Sequence, residues 1–299
     1  MGRFYTLTLI IFISLFAFAP IALADRAKPA EFKSQSEEAI AKELSNPATP
    51  LASLNNVFEF RTFKGDLPGA DSQTGFSYSF QLSIPFPLKN GKVLIFKPLV
   101  PLLLDEPVFN PTRNDFDSKG VDLGDISFEL AYGGTDDLAY GDVELESGIL
   151  SLFGIFGSLP TATDDEVGSQ QWRLGPEVVV GLVQKWGLVG FAAAHSWDLG
   201  GSNDEDFSTT TIKYFYAYGL GGGWQLAAGP TIEADWEADS SNTWTVPIGI
   251  GIEKTTKFGS TPWKFSLEAH YYVEQSDSFG PELLLIFQIT PVIANPFAP

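Results

Sequence analysis

Two histidines are present, His195 and His270, and each has neighbours able to share a proton with it. His270 stands two residues from Glu268 and from Tyr272 and four from Glu274. In an extended chain residues two and four apart share a face, so a carboxylate here could orient the imidazole as a general base. An ion-paired or pore-lining histidine explains the same spacing. His195 precedes Ser196, a base beside a nucleophile, but adjacent strand residues point to opposite faces and cannot act on one another. Two histidines are too few for a histidine-rich metal site. The absence of cysteine removes thiol nucleophiles, thiolate metal centres and disulfides. No residue is assigned a catalytic role, and the chain is expected not to be an enzyme.

The remaining chemistry is carboxylate. The 299 residues carry 37 Asp and Glu against 18 Lys and Arg, a net charge of −19, so nucleic acid is excluded as a partner. Mean hydropathy is nevertheless +0.05, and so acidic a chain must be hiding apolar surface somewhere. Part of it is a leader: Arg3, an apolar run from Phe4 to Leu23, and Ala22, Leu23, Ala24 before Asp25 make a cleavable signal peptide over 1–24. An uncleaved anchor is the other reading of that run, opposed by Pro20 and the small-residue site. No later stretch is long and apolar enough for a spanning helix.

Residues 31–45 predict a short helix with Phe32, Ile40 and Leu44 on one face, ended by Asn46 and Pro47, within an N-terminal segment, 25–54, that is periplasmic or lumenal. From 55 to 299 the period becomes two. Twelve candidate strands fall at 55–63, 75–85, 92–102, 121–132, 147–158, 172–183, 186–196, 209–219, 222–232, 243–253, 263–274 and 281–290, separated by Gly, Pro, Asn, Asp and Ser clusters. In the eleventh, Trp263, Phe265, Leu267, Ala269, Tyr271 and Val273 alternate with Lys264, Ser266, Glu268, His270, Tyr272 and Glu274. A soluble sandwich turns such apolar faces inward, whereas an outer-membrane barrel turns them to lipid. Strands of ten to twelve residues suit a tilted span. The tryptophans support it: with both termini periplasmic, Trp186, Trp224 and Trp263 form one girdle and Trp172, Trp197, Trp236 and Trp244 the outer one. Connections are long on the outer side and tight at Lys185 and at Gly219–Gly222 on the inner, with 133–146 a single long inner turn. The expected fold is all-β, an antiparallel transmembrane barrel of about twelve strands.

The stretches Ala41–Leu54 (AKELSNPATPLASL), Val121–Ile126 (VDLGDI), Leu159–Pro176 (LPTATDDEVGSQQWRLGP) and Glu233–Lys254 (EADWEADSSNTWTVPIGIGIEK) resemble the outer-membrane family of phenol-degradation meta-pathway proteins, over about residues 41–290. The resemblance implies a transmembrane β-barrel of transporter type, carries no catalytic motif, and suggests an aromatic or hydrophobic cargo only through the family's title. One departure is the C-terminus, where PVIANPFAP follows the strand holding Phe287 instead of a terminal aromatic closing the chain. That places the reading of the C-terminus by the barrel-assembly machinery outside the family pattern.

In such a barrel the polar faces line the lumen: Lys97, Asp125, Glu129, Arg173, Glu177, Lys213, Glu233, Glu253, Lys264, Glu268, His270 and Glu274, with Gln81, Gln225, Thr231, Thr245 and Gln288 between them. Seven acids against four bases favour cations or polar neutral solutes over anions. Internal ion pairing, or the N-terminal helix, closes the lumen in the competing reading. The expected function is an outer-membrane channel or transporter for small solutes in a Gram-negative bacterium; a non-conducting structural barrel and a lipid hydrolase are the alternatives. Outer-loop acids such as Asp164, Asp165, Glu166 and Asp204, Glu205, Asp206 solvate the surface, or bridge through Ca2+ or Mg2+ to lipopolysaccharide phosphates. No other cofactor is expected, and the partners are outer-membrane lipid, lipopolysaccharide, the assembly machinery and a small-molecule solute. Membrane-fraction protein run unboiled in detergent should migrate apart from a boiled sample, because a closed barrel stays folded; identical mobility and a soluble fraction would point to the sandwich.

Overall fold

A chain of amphipathic strands satisfies its backbone and hides its apolar faces together only if the last strand pairs with the first. In the computed structural model, which describes residue 32 and residues 34–140, 143–202 and 206–297, it does so. The elements are α1 (Glu37–Ser45), β1 (Ala52–Lys64), β2 (Thr74–Pro87), β3 (Val93–Asn110), β4 (Asp115–Lys119), β5 (Asp122–Leu123), β6 (Ser127–Tyr140), β7 (Val143–Ser158), β8 (Gln171–Gln184), β9 (Gly187–Gly201), β10 (Ser208–Gly221), β11 (Trp224–Ala228), β12 (Thr231–Asp235), β13 (Trp244–Phe258), β14 (Thr261–Glu274) and β15 (Gly280–Ile293). Every neighbour is antiparallel, and the ring closes where β1 meets β15, with Val57 opposite Gln288 and Phe60 opposite Leu285. β11 and β12 are one stave interrupted at Gly229 and Pro230, since proline has no N–H for the ladder. With β4 and β5 only short additions to β3, the barrel has twelve staves.

Side-chain direction follows the pleat. Leu267 and Val273 of β14 are 56% and 53% exposed, whereas the alternate Ser266 and His270 are 3% and 4% exposed. Apolar residues are thus on the outer wall and polar ones inside, the reverse of a soluble core. An internal apolar belt lies toward the end holding α1, where Val93, Ile95, Ala131, Leu150, Leu152 and Val179 cluster, with Ala48 packed against them.

The helix is made by its ends as much as by its stripe. Ser36 caps it, its Oγ accepting the Ala39 N–H at 3.1 Å, and Glu37 and Glu38 favour the positive end of the dipole. Ile40 packs with Phe32 on Val292 of β15, flanked by Leu44 and Leu51. Past the helix the chain crosses the lumen: Ser45 Oγ donates to Gln225 Oε1 at 2.9 Å on one wall, and Asn46 Nδ2 donates to Thr135 Oγ1 at 3.1 Å on another. Residues 36–50 therefore form a plug inside one mouth.

Three expectations are corrected. The fourth strand begins at Ser127, not 121, because Asp125 is engaged by a loop. Residues 133–146 are not a turn: β6 and β7 continue through most of them and project beyond the rim as a hairpin. β3 runs on to Asn110 and pairs with β4, so part of the long 103–120 connection is a second projecting hairpin. At the C-terminus, Asn295 Nδ2 donates to Pro85 O at 2.9 Å and the Phe297 ring lies 4.2 Å from Phe86, so the tail folds back over the rim. The leader at 1–24 lies outside the described residues.

Strand approach is closest at Gly175 of β8, where any Cβ would collide with the backbone oxygen of His195 in β9. Gly175→Ala should therefore destabilise the barrel by about 1–3 kcal/mol, as overpacking does, seen as a lower temperature for losing the fast-migrating folded band. An unchanged transition would show that the β8–β9 contact is looser than described.

Candidate functional site

The lumen between the plug and the loop end holds a cavity of about 300 Å³. Leu44, Ser45, Asn46, Pro47 and Thr49 of the plug segment line it, and Lys97, Glu129, Glu177, Lys213, Glu253, Lys264 and Glu268 reach it from the wall. The pleat brings these charges together from six staves, and register pairs several of them. Lys97 of β3 stands opposite Glu129 of β6, and its Nζ donates to Glu129 Oε2 at 3.0 Å. Lys264 Nζ and Ser266 Oγ of β14 donate to Glu253 Oε1 of β13 at 3.2 and 2.8 Å. Glu268 Oε2 accepts the Gly229 N–H at 3.0 Å and lies 2.9 Å from His270 Nε2.

The other residues expected in the lumen sit elsewhere along it. Glu233 of β12 is within electrostatic reach of Arg173, whose guanidinium lies 5.3 Å from the Phe207 ring centroid. Glu274 ends β14 exposed at the rim. Asp125 is not on the cavity wall. Its Oδ1 accepts the N–H groups of Thr161 and Ala162, both at 3.1 Å, and its Oδ2 accepts Ser169 N–H at 2.7 Å and Ser169 Oγ–H at 2.6 Å. It thereby ties the loop 159–170 down. Burial pushes this carboxyl up, but the bonds from Ser169, Ala162 and Thr161 outweigh it and hold it below the usual aspartate range. An internal group that sequence reasoning passed over is Arg61 of β1, which contacts Glu59 and lies 3.7 Å from Glu106 of β3. Its signal was legible, because Glu59 and Arg61 alternate with Phe58 and Phe60.

His195 Nδ1 lies 2.7 Å from Thr210 Oγ1 on the outer wall, and among the described residues neither histidine is hydrogen-bonded to a serine. Thr210 Oγ1 also accepts the Trp236 indole N–H at 2.8 Å, and the Trp236 and Trp244 rings are 5.7 Å apart. Trp172, Trp197, Trp236 and Trp244 lie toward the loop end, although Trp197 is inside β9 and not beyond it. Trp186, Trp224 and Trp263 lie toward the plug end. Six of the seven indoles are exposed.

At the plug end, Glu37 fastens the helix to β13. Its carboxylate accepts Thr256 Oγ–H at 2.8 Å and Lys254 Nζ–H at 3.0 Å, and the Thr256 and Lys254 bonds hold it below the usual glutamate range. At the loop end four rings form a chain: Phe63 to Phe279 at 4.7 Å, Phe279 to Phe116 at 4.6 Å, and Phe116 to Phe109 at 5.2 Å. Asp164 and Glu166 both engage Lys119, the former at 3.0 Å. Among the described residues no group of three or more acids and histidines is placed to hold a metal. Asp204 and Glu205 lie outside the described residues.

No protein-family model matches the sequence, and no curated protein does. Among solved structures the chain is similar to the COG4313 outer membrane channel from Pseudomonas putida F1, at 13% identity and a TM-score of 0.56, over 83% of this chain and 98% of that one. It is also similar to the Salmonella typhi outer membrane phospholipase dimer with bound calcium (10% identity, TM-score 0.38, 88% and 100% covered). A third similarity is to the CymD monoaromatic hydrocarbon channel (12% identity, TM-score 0.36, 84% and 92% covered). The first of these likenesses identifies the fold as that of an outer-membrane β-barrel.

Asp125→Ala should release the loop 159–170, since N–H groups left unpaired cost about 1–3 kcal/mol. Because the folded carboxyl titrates below the usual aspartate value of about 3.9, the latch stabilises fully above that pH and is lost as pH falls through the lower folded value. Limited proteolysis should cut this loop faster in the variant at neutral pH and in the parent only in strong acid. Equal rates at neutral pH would show that Asp125 does not hold it.

Proposed function

We propose that the protein is a passive, non-catalytic outer-membrane channel for small solutes, exported by its leader, with the plug end periplasmic and the long loops outside. The observation that carries this reading is the polar cavity on the barrel axis, walled by charged side chains and floored by a short segment of the chain's own N-terminus. A purely structural barrel needs no such space. The floor is held by a few polar contacts at Glu37, Ser45 and Asn46, and by a small apolar patch at Ile40. These can be exchanged for water and solute without breaking the ladder. The excess of lumenal carboxylates favours cations and polar neutral solutes over anions. The resemblance to transporter-type barrels agrees, as does the likeness to the Pseudomonas putida outer membrane channel.

A second reading, passage of aromatic or hydrophobic compounds, is favoured by the chain of phenylalanines from Phe109 to Phe63 at the loop end, a surface suited to flat apolar groups. In either case the exposed outer wall and its indoles meet lipid, and the acidic loops meet lipopolysaccharide, with divalent cations between like charges.

Planar-bilayer recordings test the channel directly. The mature chain should conduct weakly and prefer potassium to chloride, and removal of residues 25–50 should raise the conductance severalfold while keeping that preference. Silence in both forms would overturn the channel in favour of a structural barrel. Lipid deacylation abolished by His270→Ala would overturn it in favour of a hydrolase.

A further inference from the structure

The charges of the lumenal cavity do not all pair off, and those left over are of both signs. Lys97 is held by Glu129, and Lys264 by one oxygen of Glu253. Lys213 of β10 is exposed into the lumen, and no hydrogen bond from its ammonium is found among the described residues. Opposite needs are left on the acids: Oε2 of Glu253 and Oε2 of Glu177 are closed off from solvent yet accept no hydrogen bond. Glu253 is only 7% exposed, so its free oxygen is sealed within the wall, whereas Glu177 is half-buried, lines the cavity and takes part in no hydrogen bond among the described residues.

The spacing is that of a small molecule. Glu177 of β8 faces Ala194 of β9, and Lys213 faces Ala192, so the two charges stand on staves either side of β9 and two residues apart in level. Two strand spacings separate their backbones by about 10 Å, a gap that their inward-pointing side chains shorten. Lys213 lies within electrostatic reach of Glu129, Glu177 and Glu268, yet closes on none of them. A bound inorganic cation would satisfy the acids and leave Lys213 repelled; an anion would do the opposite. One solute carrying a protonated amine and a carboxylate satisfies both.

We propose that the mid-lumen cavity is a binding site for small zwitterions, with the solute's carboxylate on Lys213 and its ammonium on the Glu177 carboxylate. The proposal rests on the channel reading for its biological use but not for its geometry. Each charged hydrogen bond gained is worth about a tenfold change in affinity.

The test is equilibrium binding to the folded mature protein in detergent, followed by ligand-observed NMR and calorimetry, with 4-aminobutyrate, butylammonium and butanoate as probes. 4-Aminobutyrate should bind about tenfold more tightly than either singly charged probe, one charge-assisted hydrogen bond in advantage. Lys213→Met should erase its advantage over butylammonium, and Glu177→Gln its advantage over butanoate. The unboiled gel shift confirms that each variant is folded, and Lys213, being exposed, is the substitution the fold tolerates best. Equal binding of butylammonium and 4-aminobutyrate, a cation site only, would overturn the proposal, as would no binding or an unchanged affinity in Lys213→Met. If 4-aminobutyrate binds but no current is ever recorded, the channel reading fails and the site stands. Current without binding is the converse.

Discussion

Everything in this structure depends on the closure between β1 and β15. In hydrocarbon an unpaired backbone N–H or C=O has no water to fall back on, so an open sheet edge is intolerable and a strand ring must be complete. The chain meets that requirement with strands up to 18 residues long that pair antiparallel all the way round. Closure then dictates the side chains. Once the ladder is a ring, each strand has one face to the outside and one to the lumen, and alternation is what makes both faces acceptable.

The lumen inherits the cost of that arrangement. Polar residues drawn inside must find partners, and most do, through cross-strand pairs such as Lys97 with Glu129 and Glu253 with Lys264 and Ser266. The plug completes this: its Ala48 packs on the apolar belt near one mouth, and Ser45 and Asn46 join the polar network. Two groups that stay unpaired among the described residues, Lys213 and Glu177, line the cavity, whereas others, such as Ser158 Oγ and Thr255 Oγ1, lie away from it.

Alternation made most of the barrel legible. Segments expected at 75–85, 172–183 and 263–274 correspond to β2, β8 and β14 to within a few residues, because period two is enforced along their whole length. The reading failed where that enforcement stops. Past Gly133 and Asp105 the strands β6 and β3 pair only with their hairpin partners β7 and β4, so these stretches read as connections. The break at Pro230 was invisible because the flanking residues keep the same parity. The charged wall was legible by parity alone, but partners were not: which acid meets which lysine depends on register between strands far apart in sequence. Asp125 was misplaced for a local reason. Its position mimics a strand residue, while its four hydrogen bonds to Thr161, Ala162 and Ser169 come from a loop about forty residues away.

The central claim is the orientation of the two faces, apolar to lipid and polar to an aqueous lumen. The cysteine-free chain lends itself to one measurement: single cysteines at Ser266 and Leu267, spin-labelled and compared in bilayers for collision with oxygen and with a water-soluble nickel chelate. The account predicts oxygen dominance at Leu267 and nickel dominance at Ser266. The opposite order, or nickel access at both positions, would contradict it.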